Sequence, residues 1–473
     1  MQTTPEFSDG ADFAPLTVSD ILDEAPTGRF HRRAVLVSGV GFFTDAYDLF
    51  VISTVAVLVS AQWHLSTTQT SWVTGSAILG AFLGALVFGR LADRIGRRPV
   101  YAVVAGLMIL GALASALAPG FGWLVASRLV LGLGIGGDYP VSAVLMSEYA
   151  NRRDRGRLVG MVFSMQAVGL VVGPIVAIAL LGSGIGDDAT WRILLALGAV
   201  PAAAVIWLRS RMPESPRFQA EVRGNGREAL RDLSRFAGGS LGPAAPAPVS
   251  PRSSRAATAG RLIPLIVGTA GAWFLFDYAY YGNTLSLPAI LSAVDPTAST
   301  IGKLALTLLM FVVFAVPGYL LAVWKMDRVG HRRLQSLGFT VMAVAFLVLG
   351  AFGPLTTLIA PFVAIFGLSY FFVEFGPNTT TFVLPAEVFP TRMRTTGHRI
   401  AAGLGKLGAF IGVFLVPQLQ DAIGLRGMLV VAGGASVLGY LCTRLLPEPG
   451  QRSLDDVAPD RAPRAERLKA VAA

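Results

Sequence analysis

The residues able to do chemistry lie inside apolar sequence. The stretch "GFFTDAYDLFVIS" carries Asp45 and Asp48, which at this spacing occupy neighbouring parts of one helix surface. Further along come Arg128, then Asp138 and Tyr139 in "RLVLGLGIGGDYPVSAVLMSEYA", and Gln166 in "FSMQAVGLVVGP". The second half of the chain adds Trp273, Asp277 and Tyr281 in "WFLFDYAYYGNTLSLP", Glu374 and Asn378 in "FFVEFGPNTTTFVLPAEVFP", and Lys406. A charge at mid-bilayer is costly unless it faces protein, water or a partner, so these positions mark a path through the molecule. Trp273, Asp277 and Tyr281 recur every fourth residue and share one helix face. They offer an indole donor, a carboxylate and a phenol to an oxygen-rich ligand. The same spacing also fits an aromatic packing stripe with Asp277 paired to a buried cation such as Lys406. Gln166, Asn378 and Asp48 likewise fit hydrogen bonds between helices.

These side chains need a membrane-spanning scaffold. Of the 473 residues, 53% are hydrophobic and only 14% charged, and the mean hydropathy is +0.61, which fits a polytopic membrane protein and no ordinary soluble domain. Apolar runs of helix-crossing length begin near residues 34, 72, 99, 121, 157, 190, 262, 302, 334, 354, 396 and 424. They lack the short alternation of a transmembrane β-barrel. The expectation is therefore an all-α protein with twelve transmembrane helices.

The net charge of +10 does not form a nucleic-acid stripe, because the arginines sit in particular loops. Arg90, Arg94, Arg97 and Arg98 follow the second span, Arg152, Arg153, Arg155 and Arg157 the fourth, and Arg209, Arg211 and Arg217 the sixth. The positive-inside rule makes these connections, and both termini, cytoplasmic. Residues 1–28 have neither a basic start nor an apolar core, so the first span is expected to persist in the mature protein. Cys442 is the lone cysteine, and His31, His64, His331 and His398 are scattered, which argues against a disulfide or a metal site. No nucleophile–base pair suggests an enzyme, and no cofactor is expected. Gly132, Gly134, Gly136 and Gly137 in "GLGIGG" lack the strand and ribose-binding acid of a dinucleotide site, so close helix packing explains them better.

The chain repeats itself. "GRLADRIGRR" is answered by "WKMDRVGHRR", "MPESPRF" by "LLPEPG", and "SEYANRRDRGR" by "AEVFPTRMRTTG", so that Asp93 pairs with Asp327 and Glu214 with Glu448. The implied organisation is a cytoplasmic tail (1–28), a six-helix half (29–212), a cytoplasmic linker rich in Gly, Pro, Ala and Ser (213–260), a second six-helix half (261–447) and a charged tail (448–473). Gly89, Asp93, Arg94, Gly96 and Arg97 read as a cytoplasmic gate motif. In it Asp93 meets the positive end of a neighbouring helix or pairs with an arginine; the charges also fit a purely topology-setting role.

Two halves joined by this motif resemble the major facilitator superfamily over nearly the whole chain. More narrowly, "GFFTDAYDLF", "GGDYPVSAVLMSEYANRRDRG", "WFLFDYAYYGNTLSL" and "FGPNTTTFVLPAEVFPTRMRTTGHRIAAGLGKLGA" resemble the inorganic phosphate:proton symporters of plants and fungi. The resemblance implies that Tyr139, Gln166, Trp273, Asp277, Tyr281 and Asn378 surround phosphate. It places Asp45 and Asp138 on the proton route, with Arg128 and Lys406 as basic partners. Asp48 and Glu374 join that proton-coupling group on their own position in the spans, Glu374 being an acid where the plant carriers have a neutral amide. Proton-coupled phosphate uptake by a monomer in the bilayer of the plasma membrane is the resulting expectation. Proton symport of organic or aromatic carboxylates or sugars, or a phosphate receptor without transport, are its rivals on the same fold.

Overall fold

The computed structural model describes residues 27–95, 97–151, 153–209, 255–390, 393–450, 452 and 457. The described residues are helical almost throughout. In chain order the crossings are α1 (Arg29–Trp63), α2 (Thr67–Ile95), α3 (Arg97–Ala116), α4 (Phe121–Tyr149), α5 (Arg155–Ser164 and Gln166–Gly182) and α6 (Asp187–Leu197 and Ala199–Arg209). The second half continues with α7 (Arg255–Ile266 and Ala272–Leu285), α8 (Thr300–Met310 and Val316–Val329), α9 (His331–Ala351) and α10 (Ile359–Phe375 and Pro377–Val388). The final helix, Arg394–Thr443, is interrupted at Gly424, whose φ of 73° and ψ of 170° suit a residue without a Cβ. It is two crossings, α11 (394–423) and α12 (425–443). The tenth span starts later than expected, at Ile359, because Pro354 opens a separate short helix, Pro354–Thr357, that ends in extended backbone at Leu358. The outer surface carries exposed apolar side chains such as Leu83, Leu110, Val200 and Leu320, with Trp123, Trp207 and Trp324 also exposed, as lipid contact requires.

Small residues decide which helices touch. Gly132 and Gly136 on α4 face the carbonyl oxygens of Ala77 and Ala81 on α2, while Gly80 and Gly84 on α2 face those of Leu129 and Leu133. A Cβ at any of the four would collide with backbone, so the packing reading of the glycine run holds. The second half repeats the device: Gly408 and Gly412 on α11 lie against the carbonyls of Phe274 and Tyr278 on α7, and Gly405 lies against the Trp273 ring. Lys406 sits inside this run. The close approach therefore delivers its side chain onto α7.

The first turn of α5 and the connections between α8 and α9 and between α10 and α11 meet at one face, called here the basic face. There the second copies of the repeated motifs meet in space. Glu448 accepts the backbone N–H groups of His331 (2.8 Å) and Arg332 (3.1 Å), capping the N-terminus of α9. Asp327 reaches across to the other half, where its Oδ2 accepts the Arg157 N–H at 2.8 Å in the first turn of α5. His331 stands where the first copy has Arg97, and it is 1% exposed. Its Nδ1 lies 2.7 Å from Glu387 Oε2 and its Nε2 3.1 Å from Asp327 Oδ1, so an imidazolium satisfies both carboxylates. On the opposite face Thr67 donates to Asp421, again between the halves. The side chains of Gly89, Asp93, Arg94, Gly96 and Arg97 lie outside the described residues, as do Glu214, most of the linker and most of both tails.

Gly408→Ala is expected to destabilise the protein by about 1–3 kcal/mol, whereas Gly434→Ala, with nothing within 4 Å of the new carbon, should be neutral or slightly stabilising. Apparent melting temperatures in detergent check the contrast. Asp327→Ala is expected to loosen the basic face. Spin labels at Arg153 and Arg333, both exposed, placed in a Cys442→Ser background, should report a longer distance; an unchanged distribution would mean that Asp327 does not hold the halves.

Candidate functional site

Four of the helices that contribute to the centre, α5, α7, α8 and α10, are irregular near their contribution. In α7 a π-turn, Val267–Gly271, ends just before Trp273, and in α8 another, Phe311–Ala315, ends just before Tyr319. Helix α5 breaks at Met165, and Gln166 opens its second segment. Helix α10 breaks at Gly376 (φ −119°, ψ −105°), between Glu374 and Asn378, with Pro377 starting the new segment. Such breaks turn side chains and backbone groups inward. They are tolerated in a membrane only where protein buries them.

The strongest pair is Lys406 with Asp277. Lys406 Nζ lies 3.2 Å from Asp277 Oδ2 and 3.1 Å from the Tyr281 hydroxyl, and all three side chains are buried. The helical spacing of Trp273, Asp277 and Tyr281 thus produces one face, and the buried cation that could pair with Asp277 is the one the sequence offered. A buried ion pair is stable only as a pair; removing either charge strands the other.

A second network runs from one half to the other. Asn378 Nδ2 donates to Glu374 Oε2 at 2.5 Å and to the Tyr319 hydroxyl at 2.8 Å. Tyr319 in turn donates to Gln166 Oε1 at 3.3 Å. Gln166 comes from α5, the other three from α8 and α10. The reading of Gln166 and Asn378 as bonds between helices is therefore met through Tyr319, not by direct contact.

In the first half Arg128 is fully buried and donates through Nη2 to the backbone carbonyl of Asp48 at 2.7 Å. The Asp48 carboxylate, also 0% exposed, packs against Gly198 of α6 and makes no hydrogen bond among the described residues; nor do Arg128 Nε and Nη1. Two opposite charges held close without a direct bond form a site that a single proton can reset. Asp45 on α1 and Asp138 on α4 are buried. The Tyr139 side chain lies outside the described residues.

Aromatic rings close the centre on two sides. Toward the basic face Phe382 packs on Phe163 (4.7 Å between centroids), Phe42 (5.0 Å) and His398 (5.4 Å). Toward the opposite face Phe50 of α1 stacks on Tyr281 of α7, with centroids 5.6 Å apart and 11° between planes. Gln166, Trp273, Asp277, Tyr281 and Asn378 are each at most 2% exposed, so the centre is closed to solvent. Among the described residues no group of His, Cys, Asp and Glu is arranged to hold a metal ion. The arrangement suits reversible binding of an oxyanion by neutral donors and one lysine.

Sequence reasoning missed Tyr319, Phe50, Phe382 and His398. Tyr319 left one trace, a phenol in the otherwise apolar "FVVFAVPGYLLAVW". The other three look like ordinary packing residues until their partners are seen.

The model of the sugar (and other) transporter family matches residues 34–460. The chain is 36% identical over 499 residues to low affinity inorganic phosphate transporter 4 of Petunia hybrida, covering 94% of each. It is 36% identical over 529 residues to inorganic phosphate transporter 1-6 of Oryza sativa subsp. japonica, covering 95% of this chain and 96% of that one. Among solved structures, the major facilitator superfamily proton:xylose symporter XylE bound to 6-bromo-6-deoxy-D-glucose superposes with a TM-score of 0.75 at 21% identity, over 90% of this chain and 98% of the other. That likeness speaks to the fold alone. The chain belongs to the sugar (and other) transporter family and has the major facilitator fold.

Proposed function

We propose that the protein is a secondary active transporter that takes up inorganic phosphate together with protons by alternating access. The observation that carries this reading is the buried Lys406–Asp277 pair, closed to solvent among neutral donors. The names of its relatives support the choice of phosphate. The basic face is then the cytoplasmic one, both termini are cytoplasmic, and the membrane is the plasma membrane.

Phosphate at neutral pH is an anion that keeps at least one P–OH, so it both accepts and donates hydrogen bonds. Tyr139, Gln166, Trp273, Tyr281 and Asn378 hold it without the grip of an arginine fork. Lys406 is the cation it meets, but Asp277 already occupies that ammonium. A proton on Asp277 cancels the competing charge and turns Lys406 Nζ toward the anion. In the alternative, the phosphate hydroxyl donates to an ionised Asp277 and the only proton that enters is the anion's own. Protonation of Asp277 adds one proton per anion, which is coupling by charge compensation. Asp45, Asp48, Asp138 and Glu374 form the proton route, with Arg128 as the cation that resets Asp48. Separation of Asp327 from the α5 N-terminus opens the cytoplasmic side for release.

Purified protein in liposomes should accumulate radiolabelled phosphate when the lumen is made alkaline, and lose that accumulation with a protonophore. Asp277→Asn should reduce the flux at least tenfold, and Asp45→Asn should abolish accumulation against a gradient. Excess sulfate, which has no hydroxyl at this pH, should compete poorly. Equal competition by sulfate would contradict donation of the phosphate hydroxyl to Asp277, uptake driven equally by sodium alone would contradict proton coupling, and stronger competition by an organic carboxylate or a sugar would point to that cargo instead.

A further inference from the structure

We propose that Tyr319 is a positioning residue of the anion site: its hydroxyl fixes which end of the Gln166 amide faces the chamber and ties that orientation, through Asn378, to the charge on Glu374. The inference rests on reading Gln166 and Asn378 as phosphate ligands.

Hydrogen-bond valence sets the direction of the chain. An ionised Glu374 only accepts, so the Asn378 amide must turn its NH2 toward Glu374 Oε2, as it does at 2.5 Å. The second hydrogen of that NH2 goes to Tyr319, at 2.8 Å. Both donors of Asn378 are then used. Having accepted, the Tyr319 hydroxyl gives its own hydrogen to Gln166 Oε1 at 3.3 Å, the Glu374 carboxylate being the other acceptor it faces. Gln166 therefore spends its oxygen on Tyr319 and turns its NH2 the other way. An anion needs that polarity, since an amide oxygen facing it would repel.

Packing holds the phenol in place. Tyr319 is 1% exposed, it follows the π-turn in α8, and its neighbour Gly318 lies so close to α10 that a Cβ would meet the carbonyl of Phe371 and the Cβ of Glu374. The titratable groups facing Glu374 are the phenols of Tyr280 on α7, Tyr319 on α8 and Tyr370 on α10. Glu374 Oε1 has no hydrogen-bond partner among the described residues, so a proton on it would lack an acceptor, and the neutral carboxyl instead turns its O–H toward Asn378.

Protonation reverses the polarity. A neutral Glu374 donates, Asn378 is then satisfied by presenting Oδ1 to it, and Tyr319 can accept from Gln166 Nε2. The Gln166 oxygen now faces the anion and weakens its hold. A proton arriving on one half is thereby read on the other, across the interface that must part during transport.

Tyr319→Phe keeps the ring and removes the hydroxyl. Its KM for phosphate should rise about tenfold with the maximal rate within about twofold, and direct binding of radiolabelled phosphate to purified protein should weaken alike. Glu374→Gln should shift the KM and its pH profile clearly more in the wild-type background than in Tyr319→Phe. Replacing Tyr319 with 3,5-difluorotyrosine, a stronger donor of the same shape, should lower the KM and covers the case in which Tyr319→Phe folds poorly. An unchanged KM in both Tyr319 variants, or an equal effect of Glu374→Gln in both backgrounds, would overturn the proposal. Failure of the wild-type protein to bind phosphate at all would instead overturn the reading of the site on which it rests.

Discussion

The structure depends on one constraint: charges buried where water is excluded must be compensated by other charges or by hydrogen-bond donors. Lys406 and Asp277 meet that constraint together, at 3.2 Å, on two helices whose glycines let the backbones approach. Neither group can leave the pair without a replacement, because a lone buried charge is far less stable than the pair. A replacement for each exists in the proposed cargo. The anion substitutes for the carboxylate at Lys406, and the proton substitutes for the ammonium at Asp277. On this view the coupling of the two solutes is a consequence of electrostatics in a dry site and needs no separate device.

The helix irregularities follow from the same demand. A regular helix satisfies its own backbone and presents side chains at fixed angles. The π-turns before Trp273 and Tyr319, and the breaks at Met165 and Gly376, rotate the following residues toward the centre. Unsatisfied backbone groups would be ruinous against lipid, so these departures sit where other helices cover them. The gates show a parallel economy. Rings such as Phe50, Phe163 and Phe382 close the chamber by packing across the two halves and can part without stranding a polar group. The Asp327–Arg157 contact adds a directional bond at the basic face.

Much of this was legible in the sequence because membranes make patterns simple. Apolar length gave the spans, the arginine loops gave an expected orientation, and the repeated motifs gave two halves. Buried polar residues stood out against an apolar background, so Asp277 and Lys406 could be paired from composition and spacing. Tyr319 could not, since its importance lies in two partners, Gln166 and Asn378, from helices far apart in sequence. The role of His331 was hidden for the same reason: only the fold brings Asp327 and Glu387 to its two nitrogens. The breaks in α5 and α10 were signalled weakly, by Gly376 and Pro377 in one case and by nothing evident at Met165 in the other.

The most direct test of the central claim is phosphate-induced infrared difference spectroscopy on the purified protein, with Asp277→Asn as the control. If charge compensation governs coupling, adding phosphate should convert a carboxylate signal into a protonated or strongly hydrogen-bonded carboxyl signal that is missing in Asp277→Asn. A phosphate difference spectrum with the Asp277 carboxylate unaltered and still paired to Lys406 would contradict the account.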